Sequence, residues 1–219
     1  MTVTLTSVVA AHPVRAKHAQ ALADRIGCDV IYDTNPTPSA EPAQRWATTR
    51  RAWETAAAAN TDWSLVIQDD AIVCQDFHAG MTAALTALNT DAIVSPYLGT
   101  SRPMQPRVLK AIATADEHRH TWIKLPATGW AVALAAPTHT VPDMLTYCSR
   151  PGKINHNIDT RIDQYYREAA RLPAMYTHPQ LADHRGLPSL IGRDREDQRR
   201  SHRFIGTHTS ALTIKWASE

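Results

Sequence analysis

The stretch "DWSLVIQDDAIVCQDF", residues 62–77, sets a run of apolar residues directly against two adjacent carboxylates, Asp69 and Asp70. Consecutive Leu65, Val66 and Ile67 predict a strand buried on both faces, as in a sheet covered by helices on either side. Two like charges at the end of such a strand repel each other and resist desolvation, so they require a compensating partner: water, an arginine or a metal ion. The plainest alternative is that one aspartate caps the following turn while the other is solvated.

Upstream, the chain alternates between the two hydrophobic periods. "VTLTSVVAA" reads as a strand, and "RAKHAQALADRIG" as a helix with Ala19, Leu22, Ala23 and Ile26 at helical spacing and Gly27 as its stop. "CDVIYDT" is a second strand, predicted parallel and adjacent to the first. After the proline-rich loop "NPTPSAEP", Pro42 is placed to begin a helix, "AQRWATTRRAWETAAAAN", on which Trp46, Arg50, Trp53 and Ala57 share a face. Arg50 on that face either snorkels to the surface or projects toward an anion at the rim of the sheet.

Downstream, a helix is predicted around "FHAGMTAALTALN", a strand at "DAIVSPYL", a helix at "RVLKAIATADEH", and a strand pair from "HTWIKL" and "TGWAVALA" separated by Pro126 and Ala127. "PTHTVPDMLTYC" reads as a short helix. "IDTRIDQYYREAARL" is the clearest late one, with Ile158, Ile162, Tyr165, Tyr166 and Ala169 at core spacing.

The chain has 219 residues and a formal net charge of +2, enough for one sizeable core and too balanced to imply nucleic-acid binding in bulk. Cys28, Cys74 and Cys148 are few and widely spaced, which points to a reducing cytoplasm rather than a disulfide scaffold. The N-terminal residues lack the pattern of a signal peptide, and no segment reaches the length of a membrane span. There is no P-loop, no Gly-x-Ser-x-Gly elbow and no His-Glu-x-x-His, so P-loop ATPase, serine hydrolase and zincin chemistries lack their central residues. His118, His120 and His156 match no tight zinc spacing.

In an open α/β sheet, ligands gather at the carboxyl ends of the strands, where Asp69 and Asp70 stand. A hard cation such as Mg2+ or Mn2+ would offset their repulsion and leave positions for phosphate oxygens. "AAHPVR" follows the first strand, placing His12 and Arg15 at a strand-to-helix turn suited to a nucleotide or phosphate, or simply to starting a helix. "NIDTRID" carries Asp159 and Asp163 one helical turn apart. Asp159, near the helix start, is the candidate general base, with plain N-capping as its alternative.

The succession "SVVAAHPVRAKHAQAL", "RWATTRRAW", "WSLVIQDDAIV" resembles nucleotide-sugar glycosyltransferases of the GT-A fold, especially the lipooligosaccharide-type family whose strand ends in Glu-Asp-Asp. The resemblance covers most of residues 3–98 and returns weakly at "TGWAVALAAPTHTVPDML" and "HPQLADHRGLPSL". It implies the α/β class: a single GT-A-like, Rossmann-like domain over 1–219, with a mixed, mainly parallel central sheet flanked by helices. Residues 1–98 would form the nucleotide-sugar half, 99–192 the acceptor side, and 193–219 a charged C-terminal segment.

The same resemblance implies Asp70 as a ligand of Mn2+ or Mg2+ with Asp69 beside it, completed by a late His184 backed by His178 and Asp183. Donor contacts would come from His12, Arg15, Asp33, Arg50 and Gln68. Gln68 departs from the family, standing where an acid is usual; it can bond a ribose hydroxyl but weakens a divalent site. The implied activity is transfer of a sugar from a nucleoside-diphosphate sugar to a hydroxyl of an acceptor glycan, or of a hydroxylated base in DNA. Gln68 also motivates a noncatalytic nucleotide- or glycan-binding module. The arginines of "GRDREDQRRSHRF" motivate a nucleic-acid-binding protein, against the blander reading of a self-paired charged segment.

Overall fold

Alternating strands and helices in the first hundred residues build the first half of one sheet, and the later chain completes it. The computed structural model describes residues 2–39, 41–100, 104–154, 156–188, 190 and 199–217. The strands are β1 (Leu5–Ala11), β2 (Asp29–Tyr32), β3 (Trp63–Gln68), β5 (Ile93–Ser95), β6 (Trp122–Leu125), β7 (Ala133–Pro137) and β8 (Ala174–Thr177), in the order β2-β1-β3-β7-β5-β8-β6. β2, β1 and β3 are mutually parallel, as are β5 and β8, while β7 and β6 run against their neighbours. All strands but β7 and β6 therefore point the same way, and the sheet is mixed but mainly parallel. A separate ribbon pairs β4 (Ala71–Val73) with β9 (Ala182–His184), antiparallel.

Two helical layers cover the sheet. On one face lie α1 (Ala16–Ile26) and α3 (Phe77–Leu88); Leu22, Ile26, Phe77, Met81 and Leu85 pack there with Val9, Leu65 and Ile67. On the other lie α2 (Pro42–Ala58), α4 (Gln105–His118), α5 (Val141–Cys148) and α6 (Ile158–Gln164), against Val8, Val66 and Leu134. Leu65 and Ile67 therefore belong to one core and Val66 to the other, as the period-two geometry of a strand requires. Each such side chain contributes about 1.5–3 kcal/mol by full burial.

Local chemistry sets the boundaries. Gly27 closes α1 at φ +77, donating its N–H to the Ala23 carbonyl, a left-handed stop that favours glycine. Pro42 opens α2 at a position where no N–H is needed. Gly80 leaves room for the C-terminal segment: a Cβ there would overlap the Cβ of Ala211. Phe204, Ile205, Ile214 and Trp216 add to the same seal on the α1–α3 face.

Three expectations are corrected. The strands at 122–125 and 133–137 do not pair with each other: β7 lies between β3 and β5, and β6 pairs with β8. Arg50 does not share the buried face of α2; Trp46 and Trp53 are buried with Thr49, Ala52 and Ala56, while Arg50 is exposed and paired with Glu54 at 2.7 Å. The late helix changes pitch after Gln164 into a π-helical segment, Tyr165–Ala170, and Ala169 turns outward.

Candidate functional site

Asp69 and Asp70 form the turn between β3 and β4, with buried side chains that are 9% and 13% exposed. Their compensating partner is Arg15. One guanidinium nitrogen, Nη1, lies 2.9 Å from Asp69 Oδ1 and 2.9 Å from Asp70 Oδ2, while Nη2 donates to the Pro188 carbonyl at 2.7 Å. Pro13 starts a short 3-10 turn that His12 caps through Nδ1, and this turn brings Arg15 to the strand end. The His12 backbone N–H donates to Asp69 Oδ2 at 2.8 Å.

His184 closes the set. Pairing of Ala71 with His184 across β4 and β9 brings its Nε2 to 3.2 Å from Asp70 Oδ2. The Gly186 N–H donates to His184 Nδ1 at 2.9 Å, so Nδ1 is the acceptor and Nε2 carries the proton toward Asp70. Asp183 faces elsewhere, accepting from Ser201 N–H at 2.6 Å and Arg200 at 3.2 Å. His178 bonds Asp116 of α4 at 2.8 Å and is not part of the set.

Burial alone would raise the Asp70 carboxyl, but the hydrogen bond from His184 and the guanidinium of Arg15 hold it below the ordinary carboxylate range. Burial and then the negative charge of Asp70 push Asp69 up, against the His12 N–H and Arg15. Burial would lower Arg15, yet Asp70 and Asp69 outweigh it and raise the guanidinium further. Breaking a buried pair from one side typically costs about 3–5 kcal/mol, because the remaining charge keeps its desolvation penalty.

Gln68 behaves differently. It pairs with Ala10 in the β1–β3 register, one residue before the acids, and the strand's alternation turns it to the opposite face. There it lines a small cleft of about 10 Å³, room for one water-sized group, with Ala10, Thr49, Trp53, Val66, Ala131, Leu134 and Ile162. The cleft sits at the carboxyl ends of β1 and β3, between α2 and α6. Arg51 donates to the Tyr32 carbonyl at 2.6 Å on one side of α2, and Arg45 to Asn157 Oδ1 at 3.3 Å where α6 begins. Asp33, just past β2, accepts the Asn35 N–H at 2.9 Å and so shapes its own loop.

Asp159 stands in the first turn of α6 and accepts the N–H of Thr160 at 3.0 Å. Asp163 is the carboxylate drawn into the structure: its Oδ1 accepts the Thr128 N–H at 2.8 Å, anchoring the β6–β7 loop that supplies Ala131 to the cleft. Burial raises Asp163, with Thr128 and then Arg167 opposing. The helical spacing of Asp159 and Asp163 is readable in the sequence; which of them the loop engages is not.

The donors do not fit a divalent cation. Both oxygens of Asp69, Oδ2 of Asp70 and both ring nitrogens of His184 are already engaged within the protein. Asp70 Oδ1 is buried without a partner. Among the described residues, no three or more His, Cys, Asp or Glu are grouped to hold a metal, which covers His118, His120 and His156 as well. Arg193 and Arg195 lie outside the described residues; Arg200 and Arg203 bond Asp183 and Asp116. Among the described residues, no helix is long and apolar enough to cross a membrane.

No family model and no curated protein matches the sequence. Among solved structures, the chain is similar to a glycosyltransferase involved in the glycosylation of the major capsid of PBCV-1, at 13% identity and a TM-score of 0.47, over 87% of this chain and 97% of that one. It is also similar to a mannose-1-phosphate geranyltransferase from Thermus thermophilus, at 10% identity and a TM-score of 0.38, over 81% and 74% of the two chains. These likenesses concern the fold alone.

Proposed function

We propose that the chain is a sugar-transferring enzyme of the GT-A kind, moving a glycosyl group from a nucleoside-diphosphate sugar to a hydroxyl of an acceptor glycan. What supports the reading is the position of Gln68 at the carboxyl end of β3, the end of such a sheet where ligands gather, beside a void of about 10 Å³ that it lines with apolar side chains. In this reading Gln68 bonds a donor hydroxyl. Asp163, raised by burial and fixed to the β6–β7 loop, holds the acceptor-side wall in place.

The test is a panel of nucleoside-diphosphate sugars incubated with the full chain, with and without chelator, followed for released nucleotide. Slow hydrolysis of one donor, weakened about fivefold in Gln68→Ala and lost in a cleft-filling Thr49→Leu, is expected. No binding and no turnover with any donor would end this reading.

A second reading, a noncatalytic nucleotide- or glycan-binding module, is favoured by one observation: the strand-end acids are already paired within the protein. It predicts donor binding in the same cleft with no released nucleotide under any condition.

A further inference from the structure

We propose that Arg15 is the resident cation of the acidic strand end, doing by side chain what a divalent ion would otherwise do there, so that Asp69 and Asp70 hold the fold together and bind no metal. Magnesium requires near-octahedral oxygen coordination at about 2.0–2.1 Å, and manganese suits similar oxygen-rich sites. Of the four carboxylate oxygens, three already accept hydrogen bonds, from the His12 N–H, Arg15 and His184. The fourth, Asp70 Oδ1, is enclosed. A cation entering there would sit against a guanidinium that is itself only 9% exposed and has nowhere to retreat without giving up Pro188 as well.

The guanidinium also does something a metal would not. By bonding the Pro188 carbonyl it ties the chain beyond β9 to the ends of β1 and β3, so one side chain joins three separated stretches, residues 12–15, 69–70 and 184–188. Removing it would leave two buried, mutually repelling carboxylates next to His184, which is the composition of a cation site. The arginine therefore both occupies and conceals a latent metal position.

Manganese is titrated into the full wild-type chain by calorimetry and by the loss of its free-ion paramagnetic resonance signal, alongside unfolding with and without EDTA. No stoichiometric binding and no EDTA effect are expected. The Arg15→Met chain should be markedly less stable, and Mn2+ should now raise its unfolding midpoint; adding Asp70→Asn to that chain should abolish the response. One tightly bound Mn2+ per wild-type chain, lost in Asp70→Asn, would overturn the proposal, as would an Arg15→Met chain of undiminished stability. If Arg15→Met does not fold, the wild-type and Asp70→Asn titrations still decide the matter. These readouts involve no sugar donor, so they stand or fall separately from the transferase reading.

Discussion

Two regions meet at the end of β3 and differ in almost everything except their position in the sequence. On the α1 side, Asp69 and Asp70 are enclosed, paired with Arg15 and His184, and backed by a core that the C-terminal segment seals further. On the α2–α6 side, one residue earlier, Gln68 faces a cleft beside Thr49 and Ile162. The paired acids at the strand end are engaged within the protein, and a neutral amide lies beside the void on the other face. Two adjacent residues at one strand end thus enter different surroundings, which their charge alone does not announce.

The sharpest way to break this contrast is to remove Arg15. Arg15→Met should destabilise the protein by about 3–5 kcal/mol in a denaturant titration, since it strands two buried carboxylates. Gln68→Met at the neighbouring position should stay within about 1.5 kcal/mol of wild type, as a change of similar volume at a half-buried site. Equal losses in the two variants would erase the distinction between the faces.

Gly80→Ala probes the seal on the closed face. The added methyl meets Ala211, and overpacking of this sort costs about 1–3 kcal/mol, read as a shifted denaturation midpoint, with ligand binding in the opposite cleft retained. Gln68→Ala makes the complementary change. Loss of one ligand hydrogen bond worth about 1 kcal/mol should weaken nucleotide binding roughly fivefold while leaving stability nearly unchanged.

A pH series supplies the smallest effect, from a group that lies in neither region. Burial holds His178 below its ordinary value, with Asp116 pulling the other way. Between the ordinary histidine value near 6.5 and the lower value of the folded chain, the unfolded state binds a proton that the folded state declines. Stability should therefore fall as pH drops through that window and be fully present above it. His178→Asn should flatten this slope, and Gln68→Ala should not.

Much of the sheet is legible in the sequence because its residues obey simple periods. Ala19, Leu22, Ala23 and Ile26 announce α1, and Leu65 to Ile67 announce a strand covered on both sides. The pairing of β7 with β3 and β5 is not legible, because local sequence carries no record of which distant strand completes a ladder. The structure brings His184 to Asp70, with Nε2 at 3.2 Å from Oδ2. Arg15, read as suited to a nucleotide or phosphate or to starting a helix, points inward to Asp69 and Asp70. The signal that shows this is the parity of β3: Gln68, like Val66, belongs to the α2 face, so Gln68 and Asp69 cannot serve one ligand from one side. Arg50 misleads for a related reason, since a four-residue step along a helix drifts around its axis and carries Arg50 to solvent while Trp46 and Trp53 stay inside.

The most direct measurement is backbone and side-chain NMR of the full chain titrated with uridine diphosphate, first in EDTA and then with Mn2+. Shifts should concentrate on Thr49, Trp53, Gln68 and Ile162, the same in both conditions, with Arg15, Asp69, Asp70 and His184 unmoved. Paramagnetic broadening centred on Asp70 and His184 would contradict a strand end whose resident cation is Arg15.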